Sequence, residues 1–313
     1  MADTIGHVPV LLGETLRWLD PQPGQTIIDA TAGRGGHSAA IAERVGPAGL
    51  VIGFDLDAGN LEFAGARVRE AGGRFEGIHA SFAQMAPELQ SRGLRADGLL
   101  ADLGISSSQL DDPERGFSFM SDGPLDMRLD TSRGRTAAEL LAVLSESELA
   151  DLIFEYGEDP FARKIARKLT HARAVRPIGT TALLAQLVKD AYGSRARASR
   201  LHPATRTFMA LRIAVNDELA ALDGLLDMIR RQAASTDEAG WLSPSARIVV
   251  ISFHSLEDRR VKRTFAELHR AEQARRLTTK PITASESEVR QNPRARSAKL
   301  RAIEMRASRM DPE

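Results

Sequence analysis

Five short apolar runs, at residues 26–30, 50–54, 75–79, 98–102 and 247–252, have the length and the β-branched or aromatic content of buried strands. Between the first four, apolar positions recur at helical spacing. Strand and helix therefore alternate, which predicts an α/β fold built on a parallel sheet wound on both faces. The alternation then stops, because about 145 residues separate Asp102 from Arg247, against the ~30 residues of a βαβ unit. Helical periodicity fills that gap at 137–144, 147–156, 161–172 and 181–192, and again from Asn216 to 231. The chain thus reads as one sheet domain in two segments, 1–112 and 213–313, carrying an inserted, small all-helical domain at 113–212. Residues 272–297 mix Thr, Ser, Glu, Pro and Arg and read as an exposed loop, followed by a last short strand at 300–305.

The junction after the first run carries the most chemistry. Ile27-Ile28-Asp29 leads into Ala30-Thr31-Ala32-Gly33-Arg34-Gly35-Gly36-His37, and a helical pattern begins at once. Glycines let the backbone N–H groups approach a ligand closely and tolerate positive φ. The spacing of Gly33, Gly35 and Gly36 departs from the dinucleotide fingerprint, whose third glycine would fall at Ser38. About twenty residues on, the second run ends at Asp55, where a carboxylate accepts both hydroxyls of a ribose. Strand, glycine loop, helix, strand and acid together outline a doubly wound, Rossmann-like S-adenosylmethionine site. A glycine turn that merely closes a βα unit is the plainer reading. Asp102 ends the fourth run as Asp29 and Asp55 end theirs, so three acids meet beyond the carboxyl ends of the strands. A sulfonium with a ribose suits three acids; taken singly, each would be a helix cap.

Composition and charge narrow the classes. The chain of 313 residues is 42% hydrophobic and 27% charged, with zero net charge and no cysteine. A disulfide, a thiolate metal site and a cysteine nucleophile are excluded. No run approaches the ~18 apolar residues of a membrane span, and the first residues lack a secretory pattern, so the expectation is a cytoplasmic protein with no membrane partner. Seven scattered histidines give no metal-ligand spacing, and no metal is expected. Charge is uneven: residues 160–213 hold 12 basic and 1 acidic side chains, and 247–309 hold 16 and 7, whereas 1–110 hold 8 and 13. The first of these basic segments has almost no acids of its own for salt-bridge lacing, which favours a polyanionic partner over a merely solvated face.

Other motifs are compatible with such a partner. Arg115-Gly116-Phe117-Ser118-Phe119-Met120 places two rings and a thioether after the fourth strand, suited to stacking on an extruded base or to core packing. Arg206, between Thr205 and Thr207, suits a phosphate or a helix cap. Ser252-Phe253-His254-Ser255-Leu256-Glu257-Asp258 brings a histidine to the end of the fifth run. A Ser-His-acid hydrolase is set aside because no G-x-S-x-G elbow is present.

Laid end to end, these motifs resemble the bacterial small-subunit ribosomal RNA methyltransferase H family. The likeness runs over nearly the whole chain, through His7-Val8-Pro9-Val10-Leu11, the glycine loop, Asp102-Leu103-Gly104-Ile105-Ser106-Ser107, Gln109-Leu110-Asp111, the Arg115 motif, Gly123-Pro124-Leu125-Asp126-Met127-Arg128, His202-Pro203-Ala204-Thr205-Arg206-Thr207-Phe208, Ser252 to Arg259 and Asn292-Pro293-Arg294-Ala295-Arg296-Ser297. The resemblance implies S-adenosyl-L-methionine as cofactor, held at Gly35, Gly36, His37, Asp55, Phe82, Asp102 and Gln109, with Gly33 added from the loop itself. It implies methylation of a cytosine N4 amine in the decoding centre of 16S ribosomal RNA, with that RNA or the small subunit as partner. Where the family often has glycine after the strand-end acid, this chain has Ala30-Thr31-Ala32, which implies a slightly crowded loop.

The residues are consistent with that chemistry. Direct in-line transfer needs positioning more than functional groups. An acceptor for the amine N–H makes the nitrogen a better nucleophile, and Asp102 and Ser106 are the candidates for catalysis. Phe117, Phe119, Arg206 and His254 are the candidates for the substrate. DNA enzymes of similar chemistry usually carry a proline-rich tetrad ending in an aromatic where this chain has Asp102-Leu103-Gly104-Ile105, so the stacking ring lies elsewhere. Two rivals remain: a nicotinamide oxidoreductase, which the glycine spacing disfavours, and an RNA-binding assembly protein that consumes no cofactor. Oligomeric state is left open, a dimer included.

Overall fold

In the computed structural model, which describes residues 9–198, 201–235 and 240–306, the sheet has seven strands in the order β3-β2-β1-β4-β5-β7-β6. His7 and Arg200 lie outside the described residues. In chain order the elements are α1 (Leu12–Leu19), β1 (Thr26–Asp29), α2 (Gly36–Val45), β2 (Leu50–Asp55), α3 (Ala58–Glu70), β3 (Phe75–His79), α4 (Met85–Ser91), β4 (Ala96–Asp102), α5 (Ser107–Asp111), α6 (Ala137–Val143), α7 (Glu146–Gly157), α8 (Ala162–Arg173), α9 (Thr181–Tyr192), α10 (Ala204–Asn216), α11 (Glu218–Ala234), β5 (Leu242–Ser252), α12 (Ser255–Arg270), β6 (Ala274–Arg276), α13 (Glu286–Gln291) and β7 (Lys299–Met305). The chain forms two units: residues 1–104 with 220–313, and residues 105–219.

In the first unit β1 to β5 are parallel, β4 pairing with β5, while β7 runs antiparallel between β5 and β6. The expected parallel sheet thus acquires an antiparallel end. Adjacent residues of β1 go to opposite faces, as a period of two requires. Ile28 packs with Ile52, Leu99 and Val250 under α4, α11 and α12. Ile27 packs with Val51, Leu100 and Val249 against α1, α2 and α3. Burial on both faces explains why these strands read as continuous apolar runs rather than alternating ones. Residues 272–297, expected to be an exposed loop, contain β6 and α13, because β7 supplies an unpaired edge that a three-residue strand can close.

The second unit is helical, with its own core of Leu141, Leu149, Ile153, Ile165, Leu169, Leu184, Phe208 and Leu211 among others. Its helices start on side-chain caps: Ser106 with Gln109, Thr136 with Glu139, and Ser145 with Glu148 form reciprocal capping boxes. Between α5 and α6 the chain is irregular but tightly held. A Cβ on Gly116 would lie 2.2 Å from the Pro124 carbonyl oxygen, and one on Gly123 would lie 2.0 Å from that of Pro113. The Arg115 guanidinium donates to the carbonyls of Arg128 and Leu129 at 3.0 and 2.9 Å. Asn216 Nδ2 donates to the Met127 carbonyl, and Asn216 Oδ1 accepts from the Leu129 N–H, both at 2.7 Å.

Candidate functional site

Parallel pairing sets the register of Asp29, Asp55 and Asp102, which end the adjacent strands β1, β2 and β4. From Asp29 the chain turns into α2 through Gly33 and Gly35, both at positive φ. A Cβ on Gly35 would stand 2.5 Å from the Ala64 Cα, so only glycine lets the loop lie against α3. Gly36 is equally confined, its absent Cβ falling 2.5 Å from Pro9 Cγ. Ala32 is buried, and a Cβ on Gly53 would meet its methyl at 3.0 Å.

The acids also organise the loop. Asp29 is 1% exposed; its Oδ2 accepts from Ser38 Oγ at 2.6 Å, and its Oδ1 accepts from the Thr31 N–H at 3.2 Å. Burial pushes its pKa above the carboxylate norm, against the pull of Ser38, His37 and Thr31. Asp55 Oδ2 accepts from the Gly33 N–H and its Oδ1 from the Asp57 N–H, each at 2.8 Å. Burial raises its pKa as well, although Asp57, Gly33 and Asn60 all donate to it. The Asp102 N–H donates to Thr31 Oγ1 at 2.7 Å, while its carboxylate Oδ2 stands 3.5 Å from His37 Nε2. Burial opposes the charge on His37, yet Asp102, Asp29 and the Val10 backbone outweigh it and raise its pKa. Asp102 Oδ1 is buried and meets no hydrogen-bond partner among the described residues. A buried carboxylate oxygen without a donor costs free energy and marks a place for one.

The remaining candidates divide between the units. In the first, Phe82 opens the short turn after β3 and is half-buried against the core. His254 follows β5 with its side chain 8% exposed, Nε2 lying 3.1 Å from Glu257 Oε1. In the second, Gln109 is buried, and its Oε1 accepts the Ser106 N–H at 3.0 Å, so this amide closes a helix cap. Ser106 Oγ accepts the Gln109 N–H and lies 3.0 Å from Ser108 Oγ. Phe117 is a core residue at 6% exposure, which removes it from the surface where a base could stack. Phe119 is half-buried, and Arg206 is tied to the Glu158 carbonyl.

Sequence reasoning assigned no role to Thr31, Ser38, Asn60 or Glu257. The first three hold the acids by hydrogen bonds. Glu257, 3% exposed, accepts the N–H groups of Phe253 at 2.8 Å and His254 at 3.3 Å and so fixes the turn after β5. A small hydroxyl nine residues beyond a strand-end acid, as Ser38 is from Asp29, is the one local signal that was available.

A seven-stranded sheet of this order, with acids at the carboxyl ends of adjacent central strands beside a glycine turn, defines a Rossmann-like methyltransferase. More particularly, the chain belongs to the MraW methylase family, whose model matches residues 4–306. It is 46% identical over 314 residues to a Trichlorobacter lovleyi protein named "Ribosomal RNA small subunit methyltransferase H", covering 95% of this chain and 97% of that one. A Sorangium cellulosum protein of the same name is 49% identical over 297 residues, covering 95% and 90%. Among solved structures, a Thermotoga maritima SAM-dependent O-methyltransferase aligns over 98% of this chain and 70% of its own, at 10% identity and a TM-score of 0.41.

Proposed function

We propose that this methyltransferase uses S-adenosylmethionine to methylate the N4 amine of a cytosine in the decoding centre of 16S ribosomal RNA. The observation that carries the reading is the near full-length match to relatives named for the small-subunit RNA. The strand-end residues fit the cofactor: a glycine turn that a single Cβ would fill, and a buried Asp102 oxygen still without a donor. Bound there, S-adenosylmethionine supplies an electrophilic methyl group on a sulfonium.

The protein's part is to hold and orient. Asp55 accepts from the ribose hydroxyls, the turn from Gly33 to His37 presents its backbone, and Phe82 offers a ring beside the end of β3. Asp102 accepts a hydrogen bond from the cytosine amine N–H, which localises the nitrogen lone pair for in-line attack and gives the proton released on methylation a destination. No covalent intermediate is needed, and without cysteine the thiolate attack that opens C5 methylation of cytosine has no agent. The roles of Gln109 and Ser106 toward cofactor and amine rest on the family resemblance, as does that of His254 toward the substrate.

The helical unit, with Arg163, Lys164, Arg167 and Lys168 exposed along α8, is assigned to the RNA. Of its two candidate rings, Phe119 is half-buried and Phe117 buried, so Phe119 is the one nearer the RNA. No helix among the described residues is long and apolar enough to cross a membrane. The test is to incubate the protein with labelled S-adenosylmethionine and unmethylated small subunits, then digest the RNA to nucleosides. Label in N4-methylcytosine is the expected result; label in 5-methylcytosine or on another base overturns the proposal.

A further inference from the structure

Within the helical unit a row of rings runs from the core into solvent. Phe208, buried on α10, meets Phe119 edge-on, with centroids 5.0 Å apart and planes at 73°. Phe119 lies against His202, with centroids 4.5 Å apart and planes 27° from parallel. His202 is exposed, and its ring rests on Phe119. The Ala204 N–H at the start of α10 donates to His202 Nδ1 at 3.2 Å, which fixes the plane of the imidazole. The chain neighbours of the two stacked residues, Met120 at 86% and Leu201 at 56% exposure, add apolar surface around it.

An exposed ring already stacked on one face, steered by a backbone donor and flanked by apolar side chains, is built to receive another flat group. The charge of the unit selects which kind. Its segment 160–213 carries 12 basic side chains against 1 acidic, so a polyanion bearing flat rings suits the surface. We infer that His202 is a stacking platform for an unpaired base of the substrate RNA, with Phe119 backing the imidazole. The inference rests on the RNA reading above and puts the base contact on His202, with Phe119 behind it. Because every base has a π face, the contact contributes affinity and register while remaining tolerant of sequence.

The test compares His202→Ala, His202→Leu and His202→Phe in the full chain. Filter binding of unmethylated small subunits gives Kd, and methylation of the same particles gives KM and kcat. Stacking predicts that His202→Ala and His202→Leu weaken binding by about 5- to 150-fold, with the loss falling on KM, and that His202→Phe recovers most of it. Cofactor affinity, measured separately by calorimetry, should stay at the wild-type value in all three. Equal losses in the Leu and Phe variants, or an Ala variant that binds like the wild type, would overturn the platform. A wild-type protein that binds the particles and transfers no methyl group would sink the methylation reading and still let Kd judge His202. If the wild type does not bind the particles, both fail.

Discussion

Replacing Asp55 with Asn separates what the carboxylate does for the fold from what it does for the ligand. Its two oxygens each accept a backbone N–H at 2.8 Å, from Gly33 and Asp57, and Asn60 Nδ2 lies 3.3 and 3.4 Å from them. An amide has a single oxygen, so in D55N an NH2 group faces one of those N–H donors. A part-buried donor left without an acceptor costs about 1–3 kcal/mol. Against this, burial raises the Asp55 pKa, so removing the charge returns stability, and the net loss is smaller than that cost. Ligand binding has no such offset. A hydrogen bond to a charged group contributes about 1.5–3 kcal/mol, so the Kd for S-adenosylmethionine should rise by about 10- to 150-fold in a variant that remains folded. Calorimetric titration measures it. The pH dependence gives a second signature: with its pKa raised, Asp55 takes up a proton at higher pH than an ordinary aspartate, so wild-type affinity falls as pH drops through that value. D55N should lose this dependence. A folded D55N with unchanged Kd would remove Asp55 from the site.

Reversing the charges of Arg163, Lys164, Arg167 and Lys168 should weaken RNA binding and flatten the slope of log K against log salt while leaving cofactor affinity unchanged; an unchanged slope would assign the α8 face elsewhere. Asp102→Asn should lower the methylation rate by at least about a hundredfold, the scale of general-base assistance, and a rate within a few-fold of wild type would exclude Asp102 as the acceptor. His37 binds its proton more tightly folded than unfolded, so its contribution to stability is fully present below about pH 6.5 and is lost as pH rises through the raised value. The urea midpoint should therefore fall as pH rises above about 6.5, and a fall of equal size in His37→Gln would refute the assignment.

The strands that carry the acids were legible because both faces of the sheet are covered. Continuous apolar runs ending in Asp29, Asp55 and Asp102 needed no tertiary information to be read as parallel strands. The antiparallel end was not legible, since β6 is three residues long and exists only as a partner for β7. α10 was missed although Ala204, Thr207, Phe208 and Leu211 have helical spacing and are all buried. Polar Thr205, Arg206 and Thr207 fill its first turn, which weakens the apolar periodicity there. The uneven charge was legible, but its partners were not. Glu146 on α7 approaches Arg167 at 3.5 Å, and Glu218 holds Arg212 at 2.7 Å, so part of the basic segment serves the helical unit itself.

Two segments hold glycines pressed against neighbouring atoms, and the state of their acids tells them apart. In the Arg115 to Arg128 segment Gly116 and Gly123 are pressed against carbonyls, Arg115 donates to two backbone oxygens, and Phe117 is inside the core. Its acid, Asp126, is held by the Arg128 guanidinium through both oxygens at 2.8 Å, which outweighs burial and lowers its pKa. At the strand ends the glycines are pressed just as closely, yet burial raises the pKa of Asp29 and of Asp55, and Asp102 Oδ1 has no donor among the described residues. Such costs weigh against a domain whose whole stability is about 5–15 kcal/mol. A ligand that brings hydroxyl donors and a positive charge offsets them on binding, and S-adenosylmethionine has both. On the proposed reading, the buried carboxylates of Asp29 and Asp55 and the Asp102 oxygen without a donor, more than the density of glycine, mark the cofactor end of the sheet.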